Sequence, residues 1–111
     1  MYRWIYHNSI LLTAIMKPSV ALESHRDAIR RIVAEGRARN PRVFGSVLHG
    51  EDHEGSDLDL LVDSTAETSL FDLAGIELEL ERLLGVRVEV TTSGSLSENF
   101  RNSVLAEALP V

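Results

Sequence analysis

The sequence predicts a small α+β domain ordered helix, strand, loop, strand, helix, strand, helix, and three observations carry that prediction. Apolar residues recur at helical spacing over residues 19–39, 69–84 and 97–109. Short apolar or alternating runs at 42–45, 57–63 and 86–92 have the length and residue types of strands. Pro18, Asn40-Pro41, Gly45-Ser46, Gly50, Gly55, Gly85 and Ser93-Gly94-Ser95 mark the ends of these runs or the connections between them.

Taken in order, residues 1–15 contain Trp4, Ile5, Tyr6 and Ile10-Leu11-Leu12, an apolar stretch too short to span a bilayer. Arg3 is a thin charged region for a secretory signal, and no convincing small-x-small cleavage site follows. Met16-Lys17 would itself make a good start, so residues 1–15 are expected to be a dispensable extension of a domain covering 16–111. In the 19–39 helix, Val20, Leu22, Ala28, Ile29, Ile32 and Val33 form the apolar face, Pro18 suits the first turn, and Gly36 or Asn40-Pro41 supplies the stop. Arg26, Arg30 and Arg31 read as a solvated face in preference to a phosphate contact.

The strand at 42–45 ends at Gly45-Ser46, and the composition up to Asp57 predicts a turn or one short helix followed by a loop. Residues 57–63 read as a central strand. The helix at 69–84 carries the stripe Leu70, Leu73, Ile76, Leu80, Leu83 and Leu84, with Thr68 or Ser69 as cap, Asp72 in its first turn and Gly85 as its stop. Residues 86–92 alternate, placing Val86, Val88 and Val90 on one face and Arg87, Glu89 and Thr91 on the other. The last helix is expected to turn Phe100, Val104, Leu105 and Ala108 inward.

At 111 residues the chain holds one core and little room for a second, substrate-binding domain. An apolar fraction of 44% with 25% charged residues argues against disordered and membrane-spanning classes. A net charge of −6 argues against a nucleic-acid partner held by phosphate neutralisation, and leaves a basic protein or a metal–nucleotide complex as easier partners. The absence of cysteine excludes disulfides, thiolate zinc sites and cysteine nucleophiles, which fits a cytoplasmic protein.

The chemistry concentrates at residues 43–63. Asp57 and Asp59, two apart in a strand, face the same way, and Glu89 lies on the polar face of a strand that could be a neighbour. Three carboxylates held close repel one another, so such a site favours a bound cation. Magnesium, with its preference for carboxylates, water and phosphate oxygens, is the natural candidate. A turn beginning Gly45-Ser46 can offer backbone N–H groups and a hydroxyl to nucleotide phosphates. Two magnesium ions could then assist both attacking and leaving oxygens of an in-line displacement. His49 and His53, four apart beside Asp52, read as exposed loop residues in preference to zinc ligands. Asp63 reads as a strand-end residue, and Ser56 as one that shapes a turn.

Gly45-Ser46, ten residues, then Asp57-Leu58-Asp59 resembles the signature of the polymerase-beta-like nucleotidyltransferase superfamily, specifically its shortest members, the minimal nucleotidyltransferases. The words Phe44-Gly45-Ser46, Gly50-Glu51, Gly55-Ser56-Asp57-Leu58-Asp59-Leu60-Leu61-Val62, Leu70-Phe71-Asp72-Leu73 and Leu84-Gly85-Val86-Arg87-Val88-Glu89-Val90 extend the likeness from about Pro18 to Val111. The resemblance implies the nucleotidyltransferase fold, a small mixed sheet flanked by helices, with magnesium as cofactor and ATP as substrate. It implies Asp57 and Asp59 as metal ligands, Gly45 and Ser46 as triphosphate contacts, and Glu89 as the third carboxylate, binding metal or activating the acceptor hydroxyl. Many such domains are antitoxins paired with a helical HEPN-domain toxin, and members of that group adenylylate a toxin tyrosine. His49 stands where the family commonly has arginine, and Glu89 where it commonly has aspartate. Two alternatives stay open: an antitoxin that neutralises by binding alone, and a nucleotidyltransferase acting on a small molecule such as an aminoglycoside. Apolar helix faces left over from one small core could bury a twin subunit or a toxin.

Overall fold

A computed structural model describes residues 17–111; the expected extension at 1–15 lies outside the described residues. Helices α1 (Pro18–Ser24) and α2 (Arg26–Glu35) lead into strand β1 (Ala38–Phe44). Strand β2 (Leu58–Ser64), helix α3 (Leu70–Leu84), strand β3 (Val88–Thr91), helix α4 (Glu98–Glu107) and the short strand β4 (Leu109–Pro110) follow. The strands form a mixed sheet in the order β3-β2-β1-β4, with β1 antiparallel to β2 and β4, and β2 parallel to β3.

β2 is interior, as its sequence predicts, because both of its faces are covered. Leu58, Leu60 and Val62 point into the larger core with α1, α2 and α3, while Leu61 points the other way, to Phe44 and Val104 of α4. All four are fully buried, which explains a nearly continuous apolar run in place of strict alternation. On the Leu61 face, strand register puts Phe44, Asp59 and Glu89 in one row and Arg42, Leu61 and Thr91 in the next.

The predicted 19–39 helix is two helices. At the break the Ser24 hydroxyl donates to the Val20 carbonyl (3.1 Å) and His25 Nδ1 lies 3.0 Å from the Ala21 carbonyl oxygen, so side chains compete with the helical ladder. The phase shifts accordingly, burying Ala21 and leaving Val20 half exposed. β1 also begins earlier than predicted. Arg37 and Asn40 adopt positive φ (64° and 54°), and the β1–β2 register slips between Arg39 and Arg42, an irregularity that accommodates Pro41. The basic residues of α2 pair locally: Arg26 with Glu23, Arg30 with Asp27, Arg31 with Glu35.

α3 has the predicted cap in full. Ser69 Oγ accepts from Asp72 N–H (3.1 Å), Asp72 Oδ2 accepts from Ser69 N–H (2.9 Å), and Gly85 closes the helix at φ 71°. Of its predicted stripe, Ile76, Leu80 and Leu84 are buried and Leu73 packs against the core, but Leu70 is exposed and Leu83 partly so. Two of its glutamates have a use the spacing did not reveal. Glu81 accepts from Val88 N–H (3.1 Å) and Glu77 from Val90 N–H (2.9 Å), which covers the free edge of β3. α4 turns only Val104 fully inward, with Ala108 packed beside it; Phe100 and Leu105, expected inside, are exposed. The helix has only a narrow contact with this face of the sheet, so one row of side chains fills it. Among the described residues, no helix is long and apolar enough to cross a membrane.

Gly36 joins α2 to β1 where a Cβ would lie 2.4 Å from Cγ1 of the buried Ile76. Gly36→Ala is expected to destabilise the domain by about 1–3 kcal/mol. Ile76→Ala removes the Cγ1 that the new Cβ would meet, so in chemical denaturation the Gly36→Ala/Ile76→Ala double variant should lose less than the sum of the two single losses; a neutral Gly36→Ala would contradict this packing.

Candidate active site

The candidate site lies on the Leu61 face of the sheet, beyond the limit of α4. Asp59 is directly opposite Phe44 on one side and Glu89 on the other. Since β1 ends at Phe44, the chain turns immediately above the Asp59 carboxylate. Gly45 makes that turn at φ 74°, and a Cβ there would stand 2.4 Å from Asp59 Oδ2. Two independent requirements therefore fall on one residue: a left-handed backbone and the absence of a side chain.

The turn is then held down. His49 N–H donates to the Gly45 carbonyl (3.2 Å) and Glu51 N–H to the Ser46 carbonyl (2.9 Å). Val47 is buried in the larger core and Leu48 packs against both cores. Farther along, Asp52 accepts from Ser19 N–H (2.9 Å), tying the loop to the start of α1, a link the sequence pattern did not disclose. Ser56 accepts from His53 N–H (2.9 Å) and shapes the return into β2, as predicted.

Asp57, immediately before β2, and Glu89 both act on Asp59. Its carboxyl is pushed up to about 6, first by partial burial and then by the negative charges of Glu89 and Asp57. The structure thus brings Asp57, Asp59 and Glu89 into one electrostatic group beside Gly45-Ser46. Asp59 is partly buried, Asp57 half exposed and Glu89 exposed. Among the described residues, no three His, Asp or Glu side chains are placed to hold a metal ion together. A magnesium ion fits such a set, because it uses one or two carboxylates and takes its other ligands from water and phosphate.

The other polar candidates lie elsewhere. His49 reaches α4, its Nε2 3.1 Å from Glu107 Oε2, and His53 Nδ1 sits 2.8 Å from the Glu54 carbonyl oxygen, so the two share no centre. Asp63 accepts from Arg42 (2.5 Å) and Asn40 (3.1 Å) at the far end of β2. One residue missed as a site member is Arg87, whose Nε is 3.7 Å from Asp57 Oδ1. Its period-two spacing from Glu89 was the available signal.

The sequence pattern described as "Nucleotidyltransferase domain" matches residues 22–111. The protein adenylyltransferase MntA of Thermococcus cleftensis is 37% identical over 90 residues, covering 81% of this chain and 88% of the relative. A solved structure assigned as a minimal nucleotidyltransferase superposes with a TM-score of 0.76 at 43% identity, covering 84% of this chain and 95% of that one. A toxin–antitoxin crystal structure with AMP-PNP has a TM-score of 0.65 over 76% of this chain and 69% of its own, and at 19% identity shares the fold.

A raised carboxyl has a definite sign. Relative to the unfolded chain, Asp59 favours folding while protonated, and this contribution is lost as pH rises through about 6. In metal-free buffer, Asp59→Asn is therefore expected to raise stability at pH 7 by about 1 kcal/mol, allowing for solvent screening, and to have little effect at pH 4. Thermal melts at the two pH values check this; equal effects would contradict the carboxylate grouping.

Proposed function

This chain belongs to the nucleotidyltransferase domain family, and we propose that it transfers AMP from ATP to a hydroxyl, most simply a tyrosine, of a HEPN-type toxin for which it is the antitoxin. The observation that supports the reading is the close approach of Gly45 to Asp59, which sets the Gly45-Ser46 turn directly beside the carboxylates. Asp57 and Asp59 would hold magnesium, with Glu89 as a third ligand or as base for the acceptor. Magnesium, as two ions where both subsites fill, would supply charge stabilisation to the phosphates and to the attacking and leaving oxygens.

The chain's own groups do the remaining work. Backbone N–H groups of the Gly45-Ser46 turn and the Ser46 hydroxyl hold the triphosphate, and Asp59 is fixed by its row between Phe44 and Glu89. The acceptor oxygen forms a bond to the α-phosphorus, the bond from that phosphorus to the bridging oxygen breaks, and pyrophosphate leaves with the electron pair. The acceptor proton passes to a carboxylate, for which Glu89 is the exposed candidate. The acceptor's surroundings would come from the partner, in line with similar proteins named as a protein adenylyltransferase and a toxin–antitoxin complex. The supply of ATP and magnesium fits a cytoplasmic setting. We propose residues 16–111 as the domain, with 1–15 as a dispensable extension.

A second reading, neutralisation by binding alone, draws on His49. Its contact with Glu107 leaves the turn without the cation that the family resemblance led one to expect there.

Incubation with labelled ATP, magnesium and a cognate HEPN-type toxin is expected to label the toxin. Asp57→Asn with Asp59→Asn should reduce labelling by roughly a hundredfold or more. Equal labelling would contradict the assigned roles, and full protection from toxicity by an unlabelling double variant would favour the binding-only reading.

A further inference from the structure

Among the described residues, the site has an excess of negative charge and one cation paired to it, Arg87. Among the described residues, the other arginine ion pairs lie away from the site: Arg26, Arg30 and Arg31 pair along the helices, Arg37 with Asp72, and Arg42 with Asp63. Arg101 donates to the carbonyls of Ser93 and Leu96. His49 is directed to Glu107. Among the described residues only Arg87 pairs with a site carboxylate, and it does so loosely, 3.7 Å from Asp57 with its side chain 83% exposed.

Its position is fixed even though its guanidinium is not. The Arg87 carbonyl accepts from Leu58 N–H at 2.8 Å, so the backbone is tied to the start of β2. Two residues on, Glu89 pairs with Asp59. Arg87 and Glu89 therefore project from the same face, and Arg87 stands on the β3 side of the carboxylates, across Asp57 and Asp59 from the Gly45-Ser46 turn on the β1 side. A triphosphate lying over the carboxylates from that turn would extend toward this side chain.

We propose that Arg87 is a substrate-contacting residue that binds the phosphate chain of the nucleotide from the β3 side, supplying the permanent cation that His49 does not. The inference rests on the nucleotidyltransferase reading of the site. An exposed Arg–Asp pair at this distance is weak and is readily exchanged, whereas a guanidinium offers paired donors suited to phosphate oxygens. When Asp57 engages a cation, its hold on Arg87 is relieved and the guanidinium is free for that contact.

Binding can test this without turnover. With the full chain and magnesium, calorimetric titration of non-hydrolysable ATP analogue should weaken about tenfold in Arg87→Ala, as expected for one charge-assisted contact. Arg87→Lys, which keeps the charge but not the paired donors, should bind with an affinity between those of the wild type and Arg87→Ala. Adenosine, which lacks phosphate, should bind both variants as it binds the wild type, and manganese alone should bind Arg87→Ala no more weakly. Unchanged affinity for the ATP analogue in Arg87→Ala would overturn the inference while leaving the nucleotidyltransferase reading intact. So would equal weakening toward adenosine, or weakened manganese binding, either of which would mark Arg87 as support for the site's shape. Failure of the wild type to bind the analogue with magnesium would overturn both.

Discussion

The contact between the Gly45 backbone and the Asp59 carboxylate is the constraint on which the arrangement depends. It exists because β1 ends opposite Asp59 and because residue 45 has neither a side chain nor an ordinary backbone conformation. Moving the β1–β2 register by one residue would send Asp59 to the opposite face and into the apolar core. Keeping Asp59 beside the Gly45-Ser46 turn therefore requires a strand pairing that does not slip, and the rest of the chain provides it.

That security comes from burying β2 on both faces. Leu58, Leu60 and Val62 are fixed by α1, α2 and α3, and Leu61 by Phe44 and Val104. Partial burial and neighbouring charges raise the proton affinity of Asp59. The packed apolar side chains on either side of it offset the cost of holding like charges together. α3 contributes twice, through its apolar face and through Glu77 and Glu81, which occupy the outward N–H groups of β3. Those bonds steady the strand that carries both Glu89 and Arg87.

Much of this was legible in the amino-acid sequence. The order of the main elements follows from periodicity, the α3 cap from Ser69, Asp72 and Gly85, and the grouping of Asp57, Asp59 and Glu89 from spacing plus a presumption that β2 and β3 are neighbours. Features that depend on tertiary competition were hidden. The break at His25 comes from side chains bonding to backbone carbonyls, which the apolar pattern of α1 and α2 does not register. Phe100 and Leu105 have the character of core residues, yet α4 meets the sheet along too narrow a line to bury them. Arg87 looked like an unremarkable polar-face residue until strand pairing put it next to Asp57.

A crystal structure of the chain with manganese and a non-hydrolysable ATP analogue addresses the central claim most directly, because anomalous scattering locates the metal independently of activity. Manganese is expected on Asp57 and Asp59, with the triphosphate on the Gly45-Ser46 turn. Manganese bound away from both aspartates, or a nucleotide whose phosphates avoid that turn, would contradict it.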